Sequence, residues 1–188
     1  MRYTSHEYAC AVLILSSPLS PIPSSARAVL RDTHWLAAMC EEFDSLQRNC
    51  TWHLVSRPPH ANVISGKWVF LHKNHPDGSL ECYKAHWVVR GFRQRAGMDY
   101  TDTFALVAKP GTIRTVLQLV ISRAWPVHQL DVSNAFLHGH LTKRVLCEQP
   151  TGFVDAECAG HMCFLSQSLY GLKQAPRAWY QRMAGFLQ

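Results

Sequence analysis

Two apolar runs, Lys67 to Lys73 and Leu80 to Arg90, are separated by His75-Pro76-Asp77-Gly78, and this pairing constrains the fold more than any other feature of the chain. An Asp-Gly step suits a tight reversal between antiparallel strands, so the two runs read as a hairpin. Side chains alternate along a strand, which places Tyr83, Ala85, Trp87 and Val89 on one face and Lys84, His86, Val88 and Arg90 on the other. The first face suits a core. The second is largely cationic, because the bases from Lys67 to Arg95 are Lys67, Lys73, Lys84, Arg90, Arg93 and Arg95 whereas the only acids are Asp77 and Glu81.

Other segments supply layers around the hairpin. Asp32 can cap a helix that carries Trp35, Leu36, Met39, Phe43 and Leu46 along one face and closes at Asn49. Thr51 to Val55 reads as a short strand before the Pro58-Pro59 break. Thr112 to Ala124 has Ile113, Val116, Leu117, Val120 and Ile121 at helical spacing and predicts a buried helix. Val127 to Val132 predicts a core strand ending near Asp131, followed by a short helical segment from Ser133. Arg144 to Glu148 and Met162 to Leu165 are further strand candidates, and Pro176 opens a final helix from its first turn. A hairpin, helices and mixed strands together indicate an α+β fold. Ser16 to Ser25 is rich in Ser and Pro, so residues 1–25 are expected to be a poorly ordered leader and residues 26–188 the folded unit.

Composition permits such a unit, since 47% of the 188 residues are apolar and 17% charged. The formal net charge of +6 makes a polyanionic partner plausible, and the basic clustering on the hairpin gives that charge a place. Seven scattered cysteines without a CxxC pair fit reduced thiols and an intracellular setting, cytoplasm or nucleus. Cys158, His161 and Cys163 lack the spacing and the fourth ligand of a closed zinc site. No apolar run approaches the ~20 residues of a membrane span, and the short run Tyr8 to Leu15 is not taken as a signal peptide.

Asp131 is the most informative single residue. Gln129-Leu130-Asp131-Val132-Ser133-Asn134-Ala135-Phe136 places a carboxylate at the end of an apolar run, where burial requires a cation, a metal or a hydrogen-bond donor. An Asp capping the next helical turn is an equal alternative on local sequence alone.

Further blocks stand along the chain: Trp35-Leu36-Ala37-Ala38-Met39, Asn49-Cys50-Thr51-Trp52-His53-Leu54-Val55, Lys67-Trp68-Val69-Phe70 and Gly97-Met98-Asp99-Tyr100-Thr101-Asp102-Thr103-Phe104. The Asp131 block, Glu148-Gln149-Pro150-Thr151-Gly152-Phe153 and Ser168-Leu169-Tyr170-Gly171-Leu172-Lys173-Gln174-Ala175-Pro176-Arg177 follow. Through the order and spacing of these blocks the chain, from about Ser24 onward, resembles copia-type retrotransposon reverse transcriptases. The resemblance implies a right-hand polymerase fold, here its fingers and the first part of its palm. It implies template-directed DNA synthesis with two Mg²⁺ ions. Asp131 matches the first metal ligand and catalytic carboxylate, with the Val132 carbonyl beside the second ion. Phe136 matches the aromatic residue beneath the nucleotide sugar, and Tyr170 and Gly171 match the turn beside the nucleotide pocket. Lys84, Arg90 and Lys173, with Arg177 nearby, are the implied phosphate contacts, and the implied partners are an RNA or DNA template–primer and dNTPs.

Several positions depart from the family pattern. His86 stands where Arg is usual, exchanging a permanent bidentate donor for an imidazole. Leu106 replaces a usual Pro, and Leu146 and Cys147 replace Tyr and Met. The family's paired aspartates lie roughly forty residues beyond the Tyr170 block, past Gln188. The chain is therefore expected to be a fragment without polymerase activity by itself, with the rest of the palm as its natural packing partner. A non-catalytic nucleic-acid-binding module is the alternative, and polymerase activity completed by a second chain is a third.

Overall fold

The computed structural model describes residues 19–29, 31–103 and 108–188. Residues 1–18 of the expected leader, and Leu106 within 104–107, lie outside the described residues.

After α1 (Ala26–Val29), α2 spans Thr33–Arg48. Asp32 caps it as expected, accepting from the His34 and Trp35 amides at 3.0 and 3.3 Å. Asn49 closes it, its side-chain amide donating to the Ser45 carbonyl at 2.8 Å. The hairpin is β3 (Gly66–Asn74) paired antiparallel with β4 (Leu80–Val89), with Trp68 opposite Trp87. Gly78 closes its turn at φ +87°, which a glycine adopts without steric cost. The Asp77 carboxylate accepts from both the amide and the hydroxyl of Ser79, and these bonds, the hydroxyl's first, hold its pKa below the usual range.

Alternation on β4 is as the sequence predicts: Ala85, Trp87 and Val89 are buried while Lys84, His86 and Val88 are only partly so. Helix α2 lies against the inner face, with Trp35 fully buried and its ring 4.8 Å from Tyr83 and 5.5 Å from Phe70. Removing one such large side chain from water contributes about 1.5–3 kcal/mol, so this layer carries much of the core. Residues just before α1 lie along the same face: the Ser20 amide donates to the Tyr83 hydroxyl, and the Trp35 indole donates to the Pro21 carbonyl.

A second sheet runs in the order β1 (Trp52–Ser56), β6 (His161–Leu165), β5 (Leu146–Cys147) and β2 (Val63–Ile64). Its β2–β5 pair is parallel and the others antiparallel. The two sheets and α2 share one core containing Met39, Leu46, Ile64, Trp87, Val145, Leu165 and Leu169. α4 (Ala175–Phe186) begins with Pro176 in its first turn, as expected, and packs on the 3-10 turn Ala135–His138.

Two expectations fail. α3 forms over Pro110–Ser122, yet none of its residues is buried, and Ile113, Val116, Leu117, Leu119 and Ile121 are all exposed. Helical spacing of apolar residues specifies a helix with a face to cover, but no described element covers it. Residues 127–132 form no strand, because none of the described strands pairs with them, and Val127 and Leu130 stand 64% and 71% exposed. The α+β class holds.

Candidate functional site

The free edge of β4 organises the residues singled out from the sequence. Because the hairpin is two-stranded, the Trp87 and Val89 amides on this edge need acceptors from elsewhere. The Glu42 carboxylate, on α2, lies 3.4 Å from the Trp87 amide, and the Tyr170 carbonyl accepts from the Val89 amide at 2.9 Å. The Tyr170 turn is thereby fastened against β4. Gly171, at φ +90°, continues that turn so close to the Val89 carbonyl that a Cβ could not fit between them, and Gly91 meets the Gly171 carbonyl equally closely.

Docking of this turn builds a row of rings. His86 lies 5.1 Å from Tyr170, and Tyr170 meets Phe136 edge-on at 5.5 Å. Burial, and secondarily the Glu42 charge, push the Tyr170 phenol above its ordinary pKa, so it stays a neutral hydroxyl at physiological pH. Phe136 sits in the 3-10 turn behind Asn134, which takes a left-handed φ of +52° and donates to the Ser45 hydroxyl at 2.9 Å. Phe136, Tyr170 and Gly171 are therefore brought together beside the outer face of β4.

The cationic face is more balanced than its own strand suggests. Lys84 Nζ is 3.9 Å from Glu41, and His86 Nδ1 is 3.4 Å from Glu42, which is only 6% exposed. The His86 contact lies within ion-pair distance, although no hydrogen bond to Nδ1 forms. These two glutamates come from α2, so alternation along β4 could not reveal them. Arg90 is exposed at the end of the strand, its amide bonded to the Ser65 carbonyl.

Lys173 follows the Tyr170 turn on a separate support. Its amide donates to Gln94 Oε1 at 2.8 Å, Gln94 donates to Gln174, and Gln174 donates to the Asp99 carbonyl. Asp99, 5% exposed, accepts from Asn62 and from the Arg95 amide at 2.6 and 2.7 Å. The Lys173 ammonium donates to the Tyr100 hydroxyl at 3.1 Å and lies over its ring. Sequence reasoning missed Gln94, Asp99 and Gln174 as supports. Asp99 and Gln174 had one signal, membership of the Gly97 and Tyr170 blocks, and Gln94 lies outside both.

Asp131 and Val132 lie on the exposed, irregular approach to Phe136. A two-ion Mg²⁺ centre needs several oxygen donors, carboxylates above all. Among the described residues, no three His, Cys, Asp or Glu side chains are placed to hold a metal ion, Cys158, His161 and Cys163 included. The described donor set does not fit such a centre. Among the described residues, too, no helix is long and apolar enough to cross a membrane.

Residues 49–188 match the family model for reverse transcriptase (RNA-dependent DNA polymerase). The chain is 46% identical to the Retrovirus-related Pol polyprotein from transposon RE1 of Arabidopsis thaliana, over 88% of this chain and 11% of that protein. It is 42% identical to the corresponding polyprotein from transposon TNT 1-94 of Nicotiana tabacum, over 100% of this chain and 14% of that one. An uncharacterized mitochondrial protein of Arabidopsis thaliana is 40% identical over 72% of this chain and 80% of its own length. No solved structure matches. The chain thus spans a small part of the polyproteins it resembles, and it belongs to the reverse transcriptase (RNA-dependent DNA polymerase) family, among the copia-type Pol polyproteins of retrotransposons.

Proposed function

We propose that this segment supplies the fingers and first part of the palm of a copia-type reverse transcriptase, where it holds template–primer and incoming nucleotide. The observation that carries this reading is the convergence of Phe136, Tyr170 and Gly171, from two distant stretches, beside the outer face of β4. Phe136 would lie under the nucleotide sugar and exclude a 2′-hydroxyl by bulk. Lys84, Arg90 and Lys173 would meet phosphates, with Asp131 as the first catalytic carboxylate and the Val132 carbonyl beside it.

These 188 residues by themselves are proposed to bind nucleic acid without extending it, since one carboxylate cannot replace the set that polymerisation requires. Primer extension with Mg²⁺ and dNTPs should then yield no product. Robust extension by this chain, abolished by Asp131→Asn, would overturn the inactive reading. Fluorescence anisotropy on a template–primer should show binding that weakens with salt and weakens further in Lys84→Ala/Arg90→Ala.

A non-catalytic binding module is the second reading. It is favoured by the short mitochondrial relative, 80% of which aligns with this chain, because a segment of this extent occurs there as a short protein.

A further inference from the structure

A cavity of about 190 Å³ lies between the loop at Tyr100–Asp102, the loop at His140–Lys143 and the start of α4. None of its lining residues belongs to the β4 face. Lys143 and Arg177 reach it from different elements, joined by His140, and hydroxyls and amides from Thr101, Thr142, Gln174 and Gln181 complete the wall. Asp102 is the only acid in that lining. It is 62% exposed and touches Arg177 through one 3.5 Å contact, so water already screens the pair and an incoming anion can replace it. Lys173 adds a further cation at the rim, through its bond to the Tyr100 hydroxyl.

We propose that this cavity holds a backbone phosphate of a nucleic-acid strand, as a second footprint apart from the β4 face. Its size is below the ~300 Å³ at which whole-ligand pockets begin, which suits one phosphodiester group better than a nucleotide. Arg and Lys together with amides and hydroxyls, opposed by one exposed acid, are the chemistry of phosphate contact. Thr101, Asp102, His140, Thr142 and Gln181 are exposed along its lip, leaving room for a polymer to enter and leave. Gln174 lines the cavity and also belongs to the network that holds Lys173, so a strand crossing the Tyr170 turn continues into it.

This inference rests on the nucleic-acid-binding reading above, and the test separates the two. Anisotropy of a labelled single-stranded oligonucleotide is followed from about 50 to 200 mM salt for the chain, Lys143→Ala/Arg177→Ala and Lys84→Ala/Arg90→Ala. Loss of one phosphate contact should lower the slope of log K against log salt by about 0.7 in Lys143→Ala/Arg177→Ala. An unchanged slope and affinity in that variant overturns the cavity proposal, while a loss confined to Lys84→Ala/Arg90→Ala leaves the hairpin reading standing. A loss confined to Lys143→Ala/Arg177→Ala does the reverse. Calorimetric titration with inorganic phosphate distinguishes the source: a variant that loses the free ion but keeps the oligonucleotide slope marks an anion site and overturns the proposal. Asp102→Ala removes the competing acid and should tighten oligonucleotide binding. Unchanged or weaker binding in that variant counts against the cavity even if the double variant fails to fold.

Discussion

Gly171 lies against the Val89 carbonyl, with no space between them for a Cβ. The contact fixes how far the Tyr170 turn approaches β4, and hence where the Tyr170 ring stands relative to Phe136. Gly171→Ala adds a clash with backbone to the strain of a φ of +90°, and should destabilise the chain by about 2–4 kcal/mol. Gly97 has nearly the same φ, +82°, but open space around it. Gly97→Ala should therefore cost only about 1 kcal/mol, and urea unfolding of the two variants isolates the close approach from the dihedral.

Glu42 is a nearly buried carboxylate facing the Trp87 amide and an imidazole. Glu42→Ala should cost about 1–3 kcal/mol, since it removes the acceptor nearest that edge amide. His86→Arg places a permanent charge beside the same carboxylate and should stabilise the chain by roughly 1 kcal/mol or less, because the side chain at 86 stays partly wet. In a double-mutant cycle the gain should vanish when Glu42 is Ala. A gain that persists would mean that the guanidinium finds a different partner.

Cys147 and Cys163 face each other across β5 and β6, and both are buried. The hydrogen bond to Cys163, and then burial, push the Cys147 thiol well above its ordinary value of 9.0. A folded-state pKa above the unfolded one favours the protonated form, so this contribution is complete below pH 9.0 and is lost as pH rises towards the folded value. Thermal midpoints should fall from about pH 9 upward. Cys147→Ala should show a shallower fall, retaining the part due to Tyr170, whose pKa is also raised. Equal slopes for the two proteins would remove Cys147 as the cause.

Legibility in the sequence followed the range over which each signal acts. Alternation on β4, the Asp32 cap and the Trp35–Met39–Leu46 stripe are local, and each predicted its element with the correct face inward. The burial of α3 and a strand at 127–132 were not realised, because apolar residues state a need for cover without naming what supplies it. Glu41 and Glu42 were invisible to a reading of β4 because they approach from α2. Phe136, Tyr170 and Gly171 were identified through family resemblance. Their juxtaposition is a tertiary fact that no spacing along the chain contains.

Gln94 shows how a residue without periodic signal can govern a site. Its side chain accepts from the Lys173 amide and donates to Gln174, which in turn donates to the Asp99 carbonyl. Gln94 is 5% exposed, so Gln94→Ala strands buried partners, and a loss of about 1–3 kcal/mol is expected. Global stability alone would not distinguish a support for the turn from any other buried amide. Hydrogen exchange does: the Lys173 amide should lose protection in Gln94→Ala, whereas the Val89 amide, bonded to the Tyr170 carbonyl, should keep most of its own. Gln94→Glu retains an acceptor for the Lys173 amide but loses the donor to Gln174, and should restore that protection only in part. If both amides exchanged alike in every variant, the turn and β4 would open as one unit, and Gln94 would have no separate hold on Lys173.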